Sequence, residues 1–121
     1  MRSLGNIYEQ KACEYLVSKG YLITERNFCV RGGEIDIIAR DGDTLVFVEV
    51  KARRSEKSGE PLEAVTEEKR RRLGKAAMFY MNKNSVETEN IRFDAIGIKE
   101  GPRGLEIEHI ENAFCPKGYF I

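Results

Sequence analysis

Two runs rich in β-branched residues, EIDIIAR at 34–40 and TLVFVEVKA at 44–52, flank Asp41-Gly42-Asp43. An Asp-Gly step between two such runs is a strong hairpin signal. An antiparallel pair of strands is therefore predicted here, and it carries charge where a core should be. Side chains alternate across a strand with period two. Glu34, Asp36 and Ile38 thus share one face, and Leu45, Phe47, Glu49 and Lys51 share one face of the next strand. A two-residue loop at Asp41-Gly42 sets Asp36 opposite Phe47; a four-residue loop from Asp41 to Thr44 sets it opposite Glu49. Either register gathers Asp36, Glu49 and Lys51 on one face. The second, with the two carboxylates side by side, is the one expected.

Like charges directly opposed in a sheet are destabilising, and neighbours such as Ile37, Val48 and Phe47 add a desolvation cost. A hard divalent cation would account for the arrangement. Mg²⁺ takes oxygen ligands, often one or two carboxylates completed by water and phosphate. Lys51, two residues beyond Glu49, is then placed to steady an attacking water or a charged phosphate, and to offset the carboxylates when no metal is bound. A lone Glu-x-Lys is usually a weak surface pair; an acid on the partner strand and apolar flanks set this one apart.

The rest of the chain supplies layers for that pair. Leu4, Tyr8, Ala12, Tyr15 and Leu16 fall on one face of a helix over 4–19, with Ser3 as N-cap, Gly20 as stop and Glu9 at the edge of the apolar face. Residues 21–30 read as extended. Residues 52–65 are polar and read as a long loop. Thr66 caps a second helix running to about Asn82, with Glu67 and Glu68 in its first turn and Lys69, Leu73, Ala76 and Tyr80 along one stripe. IRFDAIGI at 91–98 and LEIEHI at 105–110 are two further strands, joined through Gly101-Pro102-Arg103-Gly104. Helix, three strands, helix and two strands make an α/β fold with a central mixed sheet.

The 121 residues amount to one domain over 1–121. Twenty basic and twenty acidic residues exclude a uniformly basic protein but not a local patch. The longest uncharged apolar run, Thr44 to Val48, is far short of a membrane span. Cys13, Cys29 and Cys115 are odd in number and widely spaced, which argues against a disulfide scaffold or a zinc site; they are expected to be buried, and the chain to be cytoplasmic.

Asp36, twelve intervening residues and then Glu49-Val50-Lys51 resemble the D…ExK core of the PD-(D/E)xK nucleases, which include restriction endonucleases and Holliday-junction resolvases. More narrowly, the chain resembles the YraN-like family of small bacterial proteins. Gly5 and Glu9, GYLITERN at 20–27, the block at 33–54, Lys69 with Arg72 and Leu73, and RFDAIGI at 92–98 carry that resemblance. It implies a restriction endonuclease-like fold and Mg²⁺- or Mn²⁺-dependent cleavage of a phosphodiester. Asp36 and Glu49 would be metal ligands, Glu9 would complete the metal site, and Lys51 would position the water or stabilise charge. The superfamily's Pro-Asp step is absent, since Ile35 precedes Asp36.

Basic residues follow the acids. From 51 to 75 there are nine basic residues against five acidic, a strip suited to a polyanion. Arg53, Arg54, Lys69 and Arg72 are the expected DNA contacts, Lys69 because its stripe turns inward. Arg71 and Arg72 could instead pair with Glu67 and Glu68 at i,i+4. Asp94 is read as a partner of Lys51 or Lys69 or as a strand-edge acid, Glu34 as an auxiliary ligand or a solvated acid, and His109 as structural. The expected activity is a metal-dependent endonuclease acting on DNA, branched or otherwise structured, as a homodimer and with no small-molecule cofactor. The alternative is a catalytically silent nucleic-acid-binding or interaction module in repair, recombination or uptake.

Overall fold

The computed structural model describes residues 4–52, 65–86 and 90–115. The elements are α1 (Leu4–Ser18), β1 (Leu22–Val30), β2 (Gly33–Asp41), β3 (Thr44–Ala52), α2 (Glu67–Lys83), β4 (Ile91–Gly101) and β5 (Gly104–Ile110), in the expected order. The strands form one sheet in the order β1-β2-β3-β4-β5, with only the β3–β4 pair parallel. A parallel pair needs a crossover, and α2 supplies it. The result is the restriction endonuclease-like α/β architecture, a five-stranded mixed sheet between two helices.

Alternation along β3 divides the core. Leu45 and Phe47 join Leu73, Ala76, Ala77 and Tyr80 of α2, whereas Val46 and Val48 join Tyr8, Ala12, Cys13 and Leu16 of α1. Each helix therefore covers one face of the sheet. Phe47 stacks on Phe93 at 5.2 Å, and Tyr80 meets Phe28 edge-on at 5.4 Å. Thr66 caps α2 as expected, its hydroxyl accepting from the Lys69 N–H at 3.2 Å. The hairpin is tighter than expected: Asp41 pairs with Thr44, so only Gly42 and Asp43 form the loop, with Gly42 at φ 60°.

Gly33 determines how closely α2 can approach β2. A Cβ there would stand 2.6 Å from the Arg72 carbonyl oxygen and 3.1 Å from the Ala76 nitrogen. Both are backbone atoms, so the helix would have to move away.

Asp94 is not where the sequence suggested. It lies on the α1 side, fully buried, and partners neither Lys51 nor Lys69. Arg92 donates to both of its carboxylate oxygens at 2.8 and 2.9 Å, and the Asn112 N–H donates at 2.9 Å. His109 Nε2 stands 2.7 Å away; an ionised carboxylate only accepts, so this nitrogen donates. Arg92 also donates to the Tyr21 hydroxyl at 2.6 Å, and Tyr15 reaches His109 Nδ1 at 3.1 Å. The network ties β4 and the end of β5 to α1 and the entry to β1, which gives His109 the structural role expected of it. Burial works to raise the Asp94 pKa, but these hydrogen bonds outweigh it and hold the carboxyl below its ordinary value. Its contribution to stability is thus present above a pH of about 4 and is lost as the pH falls through the lowered value. Of the cysteines only Cys13 is buried; Cys29 and Cys115 are exposed, because β1 is an edge strand and Cys115 follows the last strand.

Two substitutions test this framework by denaturant unfolding. Asp94→Ala removes the shared acceptor of Arg92, His109 and the Asn112 N–H and should cost about 3 kcal/mol, Arg92 keeping Asp41 and Glu111 at 3.6 and 3.2 Å. Gly33→Ala should cost about 1–3 kcal/mol through overpacking against α2.

Candidate functional site

Glu49 sits on the α2 side of β3, 4% exposed, in the face that also carries Phe47 and Lys51. Its parallel partner on β4 is Ala95, and that of Lys51 is Gly97. These small partners leave the two side chains without a bulky neighbour on that side. Lys51, Glu49, Val65, Thr66 and Lys69 line a cleft of about 370 Å³ there.

The predicted register is the observed one. The β2–β3 ladder runs from Asp41↔Thr44 to Ile37↔Val48, and one step further sets Asp36 against Glu49. The two carboxyl groups hydrogen-bond each other. They do not meet on a plain pleated face, however. The described pairing stops at Ile37, and the Val50 N–H donates 2.8 Å to Asp36 Oδ2, a side chain standing in for a ladder carbonyl. Simple alternation also breaks here, because Ile35 joins the α2-side core and Ile37 the α1-side core. On the neighbouring strand Asn27 takes a positive φ of 52°. Asp36 therefore occupies a fork where β2 parts from β3.

Lys69 closes the cluster from α2. Its Nζ lies 3.3 Å from Glu49 Oε2 and 3.4 Å from Glu34 Oε1, and Arg72 reaches Glu34 at 3.6 Å. Lys69, expected as a DNA contact, thus also neutralises the acids, the task sequence reasoning gave to Lys51. Glu34 is not an idle solvated acid; it anchors Lys69 and Arg72 of α2. Burial, then the hydrogen bond and charge of Asp36, push the Glu49 pKa up to about 9 against the pull of Lys69. Burial opposes the Lys69 charge, but Glu49, Glu34 and Asp36 raise its pKa above the usual lysine value. Glu49 thus holds its proton at neutral pH.

Glu9 enters from α1 and is 8% exposed. Burial first, and the Asp36 charge second, raise its pKa, while Arg26 and a hydrogen bond from Asn27 oppose them. Its Oε1 is buried without a hydrogen-bond partner, and Arg26 stands 3.9 Å away. Among the described residues no three acidic, histidine or cysteine side chains form a ready-made ion cage. Glu9 therefore does not join Asp36 and Glu49 in a closed cluster. The pair still fits Mg²⁺ or Mn²⁺, because such ions commonly take one or two carboxylates and fill the remaining positions with water and phosphate oxygen. Arg53 and Arg54 lie outside the described residues.

The sheet order and the two flanking helices define a restriction endonuclease-like α/β domain. The family described as "Uncharacterised protein family UPF0102" matches residues 8–98, and the chain belongs to it. A UPF0102 protein of Syntrophus aciditrophicus is 49% identical over 110 residues, covering 91% of this chain and 87% of that protein. One of Symbiobacterium thermophilum is 47% identical over 114 residues, 93% of this chain and 97% of that protein. One of Geobacter metallireducens is 50% identical over 113 residues, 93% of each chain.

The raised Glu49 pKa sets a pH dependence. The folded-state pKa of Glu49 is raised above its unfolded value of 4.5, so its stabilisation is complete below that pH and is lost as the pH climbs through about 9. With divalent ions chelated, the thermal midpoint should fall over that interval. Glu49→Gln should flatten the fall.

Proposed function

We propose that the protein is a divalent-metal-dependent endonuclease acting on DNA, with Asp36 and Glu49 holding Mg²⁺ or Mn²⁺. The observation that carries this reading is the hydrogen-bonded pair of carboxyl groups at the sheet fork, one of them 4% exposed, opening on a cleft walled by Lys51 and Lys69. A purely structural site has no use for a buried acid set against a second acid that raises its pKa. A bound ion would supply an activated water and neutralise charge developing on the phosphate. Asp36 is fixed for this by the Val50 N–H, so one ligand is already oriented. Lys51 donates to the attacking water or to a phosphoryl oxygen. Lys69 and Arg72, on one face of α2, hold the flanking backbone, with Arg53 and Arg54 as further contacts.

The surroundings fit a polyanion made in the cell. No helix among the described residues is long and apolar enough to cross a membrane. Cys13 and Cys29 form no disulfide, which suits a reducing cytoplasm. One site cuts one strand, so a double-strand cut or action at a branched junction calls for a second copy.

The test is incubation of the protein with labelled linear, single-stranded and four-way-junction DNA, with and without Mn²⁺. Cleavage should require the ion and fall about a thousandfold in Glu49→Gln and about a hundredfold or more in Lys51→Ala. Salt-sensitive DNA binding with no ion-dependent cleavage, unchanged in Glu49→Gln, would replace the enzyme with a silent binding module.

A further inference from the structure

Lys69 occupies a position that helix physics disfavours. It is the third residue of α2, after the Thr66 cap, Glu67 and Glu68. That position favours Glu or Gln, whose side chain can complete a capping box, and a positive charge in the first turn opposes the helix dipole. Glu67 and Glu68 follow the rule; Lys69 does not. Its side chain crosses instead to β2 and β3 and rests on Glu34 and Glu49 at 3.4 and 3.3 Å. Thr66 Oγ1 accepts from the Lys69 N–H, so the backbone from which the side chain springs is fixed.

An ammonium and a divalent cation cannot both draw on the same carboxylate oxygen without strong mutual repulsion. We propose that Lys69 is a cation placeholder: it occupies Glu49 until a divalent ion arrives, yields that oxygen, and turns to the phosphate of the nucleic acid. This deepens the proposed function and rests on its metal reading. Glu34 makes the exchange possible. It is half-exposed, it holds Lys69 and Arg72 together, and it gives the displaced ammonium a second resting place beside the cleft. Lys51 extends from the same strand as Glu49, so its spacing from that acid is set by the strand and not by the packing of α2.

Two consequences of opposite sign follow. Removing the Lys69 charge relieves competition for Glu49, so the free protein should bind Mn²⁺ more tightly. The same change removes a phosphate contact, so DNA should bind more weakly. A merely structural lysine would weaken both or neither.

The experiment is calorimetric titration of the metal-free full chain with Mn²⁺, alongside anisotropy titration with a short DNA duplex in Ca²⁺. The proteins are wild type, Lys69→Met, Lys69→Arg, Glu34→Gln and Glu49→Gln. Lys69→Met, which keeps the aliphatic stem, should bind Mn²⁺ about tenfold more tightly and DNA several-fold more weakly; Lys69→Arg should restore both toward wild type. Glu34→Gln is a half-exposed change that serves even if Lys69→Met does not fold. It leaves Lys69 resting on Glu49 alone, and Mn²⁺ binding should weaken several-fold. Mn²⁺ binding to wild type that is no tighter in Lys69→Met, or no weaker in Glu34→Gln, overturns the placeholder and leaves the metal site standing. No Mn²⁺ binding to wild type, with Glu49→Gln indistinguishable from it, overturns both.

Discussion

Two carboxyl groups in contact inside a protein repel each other unless a proton, an ammonium or a metal ion stands with them. At the fork between β2 and β3 the first two are present: Asp36 and Glu49 hydrogen-bond each other, and Lys69 stands 3.3 Å from Glu49. Much of the surrounding structure serves that arrangement. The two-residue hairpin loop sets the register that brings the acids together. Gly33 lets α2 settle on β2, and the Thr66 cap fixes where its first turn begins. Ala95 and Gly97 on β4 leave the sheet open beside Glu49 and Lys51.

The same sheet offers a control on its other face. Asp94 lies in register with Val48, the residue before Glu49, and is at least as well buried. Yet burial has opposite outcomes for the two acids. Among the described residues Asp94 receives four hydrogen bonds, from Arg92, His109 and Asn112, and its pKa falls. A carboxylate accepts about four such bonds, so Asp94 has no capacity left for a ligand. Glu49 has another acid and one ammonium, and its pKa rises. One carboxylate is a rivet in the fold; the other retains coordination capacity. Burial alone would not have told them apart.

Local rules made most of the fold legible. Period-two alternation and the Asp-Gly step marked the hairpin, the expected pairing of Asp36 with Glu49 chose between its two registers, and the Thr66 cap with its two glutamates marked the start of α2. Contacts that depend on how distant segments cross were not legible. Asp94 meets His109 and Asn112 only through the β4–β5 pairing; Arg92, two residues away on the same strand face, was the partner that period-two alternation offered. Strict alternation puts Asp36 on a plain strand face, because a break in alternation between Ile35 and Ile37 leaves no mark in the pattern EIDIIA. The helical stripe turned Lys69 inward but could not name Glu34 or Glu49 as its partners, since that depends on the close approach at Gly33. One local signal was available and was passed over: a lysine where a capping box would place Glu or Gln.

The two lysines differ in what holds them, and that difference bears on what each can do. Lys51 is two residues from Glu49 on one extended strand, so its spacing from the acid is a property of the strand. Lys69 belongs to the crossover helix, and its distance from the same acid depends on helix packing and on competition among three carboxylates. A charge needed at one fixed point during a reaction belongs on the strand. A charge that must be present when the site is empty and elsewhere when it is filled belongs on a side chain with two alternative partners, and Glu34 and Glu49 give Lys69 those partners. The division follows from the parallel connection between β3 and β4, because only a crossover of this kind brings a helix, with its own charges, over the face that carries the acids.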